Sequence, residues 1–186
     1  MKINYSFFFL CLFSLYIGYF NYLLLFLLSL LIHEIGHLLF IKIYNIKINS
    51  FSLSLYGGCL NINQIQYNST KKYKKLLIYS GGVFLNLLCY LLFKNTLFSK
   101  INLIYFIFNL LPIYPLDGYN ILKIFIKNNR IINNMTILIL TFLIIISIYF
   151  NSIGLLMLSI IIFYKNIKHY KQNDKQYLTN LILNMV

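Results

Sequence analysis

The sequence has few charged residues and almost no acidic ones. Charged side chains make up 10% of the 186 residues, and only Glu34, Asp117 and Asp174 are acidic. A soluble domain of this size carries about 25% charged residues, whereas 60% of this chain is hydrophobic. This composition excludes a soluble globular enzyme, a disordered tail and a nucleic-acid-binding module. It predicts a membrane protein.

Cysteine is also scarce. The three cysteines, Cys11, Cys59 and Cys89, are far apart in apolar surroundings and form no CxxC pair. This pattern argues against a disulfide or a thiolate metal site and favours buried apolar thiols.

The uncharged runs predict an all-α membrane protein with about six transmembrane helices. A helix needs about 20 apolar residues to cross about 30 Å of hydrocarbon, so the long runs 3–41 and 131–164 are each divided into two spans. We expect a single transmembrane domain over residues 1–186. Its predicted spans are about 3–20, 22–41, 76–93, 101–122, 131–149 and 152–164.

The basic residues lie between these runs. With six spans, 14 of the 16 Lys and Arg residues fall on one side, and only Lys94 and Lys100 fall on the other. Because cytoplasmic loops carry the excess of Lys and Arg, we expect both termini to be cytosolic. His169 and Asp174 lie in the polar tail, where we expect them to be solvated.

One segment between the second and third spans has the pattern of strands. Residues 51–55 alternate with period two, Gly57 and Gly58 follow, and the alternation resumes at Leu60 and Ile62. This predicts a membrane-associated β-hairpin over about residues 48–66 that turns at the glycine pair. Ser52 and Ser54 could then offer a strand edge to an unwound substrate. The alternative is a hairpin that only plugs the cavity.

The second span contains the sequence HExxH at residues 33–37. Residues i and i+4 project from one face of a helix, so His33 and His37 can bind one zinc ion. Glu34 is placed to accept a proton from the attacking water. The alternative is a pair of histidines that only form hydrogen bonds within a helix bundle.

Asp117 is the other acidic residue within a predicted span. A catalytic zinc site has three protein ligands, and Asp117 lies six residues before Lys123 as His37 lies five before Lys42. These spacings place both about 8 Å inside the same membrane face at 1.5 Å per residue. Asp117 is therefore the candidate third ligand of one Zn²⁺ per chain, and the alternative is a helix-capping carboxylate.

Taken together, HExxH and the later sequence NLLPIYPLDG at residues 109–118 resemble the site-2 proteases. The sequence GGVFLN at residues 81–86 is similar to a small-residue and Asn pattern of that family. The resemblance implies an intramembrane zinc metalloprotease in which the Asp of the second motif is the third ligand. Within that family the sequence most resembles the stage IV sporulation protein FB group. This resemblance implies a sporulation pro-sigma factor as substrate. Only about 20 residues follow the sixth span, so we expect no C-terminal CBS domain.

Other residues near these motifs are weaker candidates. Asn109 could contact the oxyanion or the substrate backbone, or form an interhelical hydrogen bond. Asn86 could do the same or pack with the glycines beside it. Pro112 and Pro115 are expected to break the fourth span and free backbone carbonyls near the site.

Two other functions remain open from the sequence. The same three metal ligands could form the transit site of a metal transporter, but the outer halves of the spans are almost purely apolar and Glu34 would have no role there. The chain could also be a catalytically inactive membrane scaffold, which would not require the complete set of catalytic groups. For a protease, we expect a membrane-tethered protein substrate, inhibitory or assembly partners in the membrane, and no nucleic acid.

Overall fold

The structure is a computed structural model that describes residues 2–3, 15–16, 18–54, 57–126 and 128–183. The chain divides into two compact units, Met1–Leu110 and Leu111–Val186. The first contains β1 (Lys2–Ile3), α1 (Phe20–Ile43), β2 (Ile48–Ser54), β3 (Gly57–Ile62), α2 (Gln64–Ser69), α3 (Lys72–Leu92) and α4 (Leu97–Asn109). The second contains α5 (Asp117–Phe125), α6 (Asn129–Tyr149) and α7 (Ile153–Leu183).

Three of the described helices, α1, α3 and α6, are long and apolar enough to cross a membrane, and α4 is a shorter apolar helix. They correspond to the predicted second, third and fifth spans and to the start of the fourth. The predicted first span lies mostly outside the described residues, and its first residue, Ile3, belongs to β1. The six-span arrangement and the cytosolic termini stay predictions.

The predicted fourth and sixth spans differ from the helices in the structure. The fourth is divided, because α4 ends at Asn109 and α5 begins at Asp117. Pro112 and Pro115 have no backbone N–H, so the hydrogen bonds of an α-helix cannot continue through this segment. The helix over the predicted sixth span is longer than that span, because α7 continues from Ile153 to Leu183.

The strands form a three-stranded sheet in the order β1-β2-β3. β2 and β3 pair antiparallel, with Ser54 opposite Gly57 and Leu53 opposite Gly58. The prediction of a turn at the glycine pair is therefore wrong, because both glycines are paired within β3. The connection consists of residues 55–56, which lie outside the described residues.

The predicted edge residues Ser52 and Ser54 both belong to β2. β2 is the central strand of the sheet, and Ser52 is paired on both sides, with Lys2 of β1 and with Cys59 of β3. In the described residues β1 pairs with Ser52 and Leu53 of β2, so the backbone of Ser52 is already used in two ladders. The edge role of Ser54 stays a prediction. Among the described strands, β1 and β3 form the edges.

Helices α1 and α3 approach each other closely at glycine. A methyl group at Gly81 would lie 2.5 Å from the backbone oxygen of Gly36 and 2.7 Å from Cδ2 of Phe40. A methyl group at Gly36 would in turn overlap the backbone of Gly81. Small residues allow this approach in membrane helices, and the contact brings the HExxH face of α1 onto α3.

Candidate metal centre

His33 and His37 lie one helical turn apart on α1 and point to the same place. Their Nε2 atoms are 3.1 Å apart and their rings are nearly perpendicular, at 85°. The separation of four residues produces this arrangement, because i and i+4 side chains are neighbours on one helix face. Both imidazoles are buried.

The other ring nitrogen of each histidine faces an oxygen acceptor on α3. Nδ1 of His37 lies 2.7 Å from the backbone oxygen of Ile78, and Nδ1 of His33 lies 2.9 Å from Oδ1 of Asn86. An oxygen acceptor favours the tautomer in which Nδ1 carries the hydrogen. Each Nε2 atom then presents a lone pair, and the two lone pairs face each other.

This pair of nitrogens fits a metal ion. A cation beside both nitrogens would offset the repulsion between two lone pairs 3.1 Å apart. Zinc–nitrogen bonds of about 2.0–2.1 Å at tetrahedral angles place two ligand nitrogens about 3.3 Å apart. The hydrogen bonds from Nδ1 to oxygen are also the usual outer contacts of metal-binding histidines.

Glu34 follows His33 directly and lies in the same buried environment. Its side chain is only 5% exposed, as is that of His33. A carboxylate is costly to bury in an apolar medium and is retained where it has a charged or polar partner. As the buried residue that follows His33 in HExxH, Glu34 is the candidate proton-accepting group, and its burial keeps bulk water away from it.

Gly82 forms the wall of the site on the α3 side. A methyl group at Gly82 would lie 2.6 Å from Nε2 of His37 and 2.7 Å from Cε1 of His33. Only a residue without a side chain leaves both rings in place. The sequence indicated a small-residue pattern here, but the contact with the histidines appears only in the structure.

Asp117 is the first residue of α5 in the second unit. An acidic residue in the first turn of a helix interacts favourably with the helix dipole. The segment before it, residues 111–116, contains the cis peptide bond between Tyr114 and Pro115.

Backbone carbonyls of this segment accept hydrogen bonds from polar side chains of α6 and α7. The hydroxyl of Thr136 lies 2.7 Å from the oxygen of Pro112, and Nδ2 of Asn166 donates to the oxygen of Tyr114 at 2.7 Å. Thr136 is 2% exposed. The two prolines thus interrupt the helix, and the carbonyls that lose their helical partners are satisfied within the second unit.

His169 is half-buried, which corrects the expectation of a solvated tail residue. Its ring stacks on Tyr114 with centroids 3.8 Å apart and lies edge-on to Tyr119 at 5.7 Å. Burial, and then the positive charge of Lys123, hold the pKa of His169 below its ordinary value of 6.5. The neutral ring is therefore the form that packs against Tyr114.

The two candidate asparagines have different surroundings. Asn109 donates from Nδ2 to the backbone oxygen of Tyr105 in its own helix, at 3.1 Å. Asn86 is fully buried and hydrogen-bonded to His33, so its amide lies behind the imidazole. The predicted Ser52 and Ser54 lie on the central strand of the sheet.

Several residues near the histidines were missed from the sequence. Asn102 and Ser29 are fully buried and connect to Asn86 through hydrogen bonds. The ring of Tyr105 lies 6.3 Å from that of His33. A polar residue inside an apolar run was an available signal for Asn102 and Ser29, since such residues are rare unless they bind a partner.

Comparison with known proteins points to one family. A sequence profile of peptidase family M50 matches residues 19–99. Among solved structures, the site-2 protease from Methanocaldococcus jannaschii is similar to this chain with a TM-score of 0.62, at 22% sequence identity. The match covers 86% of this chain and 82% of that chain. This chain shares the fold of that site-2 protease.

The profile match to family M50 includes the HExxH helix, the strands β2 and β3, and α3 with Gly82 and Asn86. The segment 109–118 lies beyond the matched residues. No curated protein matches the sequence significantly. Neither similarity singles out the stage IV sporulation protein FB group, so that assignment stays a prediction.

Proposed function

We propose that this protein is an intramembrane zinc metalloprotease that hydrolyses a peptide bond of a membrane-tethered protein near the cytosolic face. The observation that carries the proposal is the pair of buried Nε2 atoms of His33 and His37, 3.1 Å apart, with both Nδ1 atoms held by oxygen acceptors. The match to peptidase family M50 and the site-2 protease fold support it.

In this proposal His33, His37 and Asp117 hold one Zn²⁺. The histidines contribute their Nε2 atoms, and Asp117 contributes a carboxylate oxygen. When bound, zinc polarises the scissile carbonyl and lowers the pKa of water, which supplies a nucleophile near neutral pH. The role of Asp117 rests on its place in the NLLPIYPLDG sequence.

Glu34 is the proton carrier. Its carboxylate accepts a proton from the attacking water and then delivers that proton to the nitrogen of the leaving amine. The reaction consumes one water and breaks one C–N bond, and Glu34 returns to its carboxylate form. Burial of His33, Glu34 and His37, each at most 8% exposed, keeps bulk water away and strengthens the electrostatic interactions within the site.

The metal-transporter alternative is less consistent with this arrangement. A transit site requires polar groups on both sides of the ion along the path, whereas the buried side chains of Asn86, Asn102 and Ser29 are hydrogen-bonded to one another behind His33. Nothing in the described part of the chain selects a sporulation pro-sigma factor as this substrate.

The direct test is the zinc content of the full-length protein purified in detergent. We expect about one zinc per chain in the wild type and in Glu34→Gln. His33→Ala, His37→Ala and Asp117→Ala should lose zinc or bind it weakly. His169→Ala is the matched control, because His169 is the third histidine of the chain and packs on Tyr114 instead.

Two outcomes would contradict the proposal. If the folded wild-type protein binds no zinc, the metalloprotease function is excluded and a catalytically inactive scaffold is favoured. Zinc binding that is unchanged in Asp117→Ala would show that the third ligand is another group.

A further inference from the structure

A continuous line of buried polar side chains runs away from His33 between α1, α3 and α4. Oδ1 of Asn86 lies 2.9 Å from Nδ1 of His33, and Nδ2 of Asn86 donates to Oδ1 of Asn102 at 3.0 Å. Nδ2 of Asn102 donates to Oγ of Ser29 at 3.0 Å. Asn86, Asn102 and Ser29 have no exposed surface.

Backbone carbonyls fix the direction of every hydrogen bond in this line. The hydroxyl of Ser29 donates to the oxygen of Leu25 at 2.9 Å, so Oγ is left to accept from Asn102. Nδ2 of Asn102 also donates to the oxygen of Phe98 at 2.9 Å. A reversed Asn102 amide would place its oxygen against these two acceptors, which is repulsive.

The orientation of the Asn102 amide in turn determines the orientation of Asn86 and the tautomer of His33. Because Asn102 presents its oxygen to Asn86, Asn86 must present Nδ2 in return. Its own oxygen then faces His33, where Nδ1 must carry the hydrogen. The carbonyls of Leu25 and Phe98 thus favour this tautomer of His33 through three intervening side chains. Nδ2 of Asn86 also donates to the backbone oxygen of Ser29 at 3.5 Å, a longer contact that favours the same orientation of the Asn86 amide.

This tautomer prevents the two histidines from bonding to each other. Without a constraint, two neutral imidazoles 3.1 Å apart would place a hydrogen on one Nε2 and donate it to the other. That bond would occupy both of the nitrogens that face the metal position. His37 cannot provide the hydrogen either, because its Nδ1 donates to the oxygen of Ile78.

We infer that Ser29, Asn102 and Asn86 are positioning residues that hold His33 in its metal-binding tautomer and so block a His33–His37 hydrogen bond in the metal-free protein. The inference rests on the proposed function in that it assigns the lone pairs to a metal ion. The residues touch neither metal nor substrate. Their effect reaches the site only through Nδ1 of His33.

The simpler explanation is that these amides only hold the helices together, since polar side chains stabilise membrane helix pairs. The chain contains a matched comparison for that explanation. Oγ of Ser99 on α4 donates to the backbone oxygen of Tyr90 on α3 at 3.0 Å, and Ser99 is 2% exposed. Ser99→Ala removes a buried bond between the same two helices without touching the line to His33.

The first measurement is zinc affinity by competition with a chelator, on full-length protein in detergent. We expect Asn86→Leu and Asn102→Leu to bind zinc about 10–100-fold more weakly, which is the usual effect of losing an outer partner of a ligand. Ser29→Ala should have a smaller effect, because Asn102 keeps its bond to Phe98. Ser99→Ala should bind zinc as the wild type does. Equal losses in Ser99→Ala and Asn102→Leu would overturn the inference.

The second measurement is the histidine tautomer itself, from nitrogen-15 NMR of the metal-free protein at about pH 8, above the ordinary imidazole pKa. Wild-type His33 and His37 should both carry the hydrogen on Nδ1. In Asn86→Leu and Asn102→Leu, His33 should change to the Nε2–H tautomer while His37 keeps Nδ1–H. A His33 that keeps Nδ1–H in both variants would overturn the inference.

The tautomer does not depend on protease activity, so the two proposals can fail separately. If the tautomers change as expected but the wild type cleaves no membrane protein, the proposed function fails and the positioning network stands. The opposite result is also possible: the wild type binds zinc and cleaves a membrane protein, while Asn102→Leu changes neither the tautomer of His33 nor the zinc affinity. The positioning role of these residues would then be wrong, and the proposed protease function would remain.

Discussion

Nε2 of His33 and Nε2 of His37 lie 3.1 Å apart in a buried site, and each ring is fixed by an oxygen acceptor on the neighbouring helix α3. This relationship requires α1 and α3 to approach closely. Gly36 and Gly81 allow the approach, and Gly82 leaves space for the two rings. The geometry of the histidine pair is therefore a property of two packed helices, although both histidines belong to one helix.

Glu34→Gln should abolish proteolysis while zinc binding and folding are kept. Glutamine has nearly the same shape but cannot accept and return the proton, and positioned general bases contribute about 10²–10⁴-fold to rate. Cleavage can be followed without a known substrate by mass spectrometry of new protein N-termini in membranes that contain the wild type or the variant. A variant that generates the same new termini would exclude Glu34 as the proton carrier.

Gly82→Ala should lower zinc affinity by at least about 10-fold, as for other changes that disturb the orientation of a ligand. The added methyl group would lie 2.6 Å from Nε2 of His37, so one or both rings must move. Gly154→Ala is the control, because a methyl group there contacts no atom within 4 Å. Wild-type zinc affinity in Gly82→Ala would show that the rings can adjust to the methyl group.

Gly36→Ala should destabilise the packing of α1 on α3. Its methyl group would overlap the backbone of Gly81, and a backbone cannot move aside as a flexible side chain can. Overpacking of this kind costs about 1–3 kcal/mol, which thermal unfolding in detergent would detect. An unfolding temperature equal to that of the wild type would mean that the helices separate without cost.

Thr136→Val should destabilise the second unit by about 1–3 kcal/mol, the cost of a buried acceptor that loses its partner. The hydroxyl of Thr136 lies 2.7 Å from the oxygen of Pro112 and 2.9 Å from that of Ile132 in its own helix. The shorter contact is to Pro112, a carbonyl that the interrupted helix leaves without a helical partner. Thr141→Val is a matched control on the same helix, since the exposed Thr141 donates only to Leu138. Equal unfolding temperatures for the two variants would argue against a role of Thr136 in holding the Pro112 segment.

His169 should make stability depend on pH below the ordinary histidine pKa. Burial and Lys123 lower the pKa of His169 in the folded protein, so the unfolded chain takes up a proton first as the pH falls through about 6.5. The stabilisation is complete above that pH and decreases below it. His169→Phe keeps a ring against Tyr114 but cannot titrate, so thermal unfolding of this variant should lose less stability between about pH 7 and pH 5. Identical pH profiles would exclude this contribution.

The sequence by itself determined the features that depend on composition and short-range spacing. The low charge indicated a membrane protein, and the runs between basic residues located α1, α3 and α6 to within a few residues. The spacing of four residues in HExxH placed two imidazoles on one helix face, as found for His33 and His37. These features follow from helix geometry and from the cost of charge in an apolar medium, which act over a few neighbouring residues.

The tertiary structure decided what depends on contacts between distant segments. Alternation indicated strands, but only the pairing of Lys2 with Ser52 makes β2 the central strand. An asparagine in an apolar run has no visible partner in the sequence, whereas helix packing joins Asn86 to His33 across 53 positions of the chain. A glycine in the sequence can indicate that another group packs closely against the backbone, but it does not identify that group. At Gly82 the structure shows that the group is the histidine pair. Such contacts are set by which helix faces meet, which local periodicity does not encode.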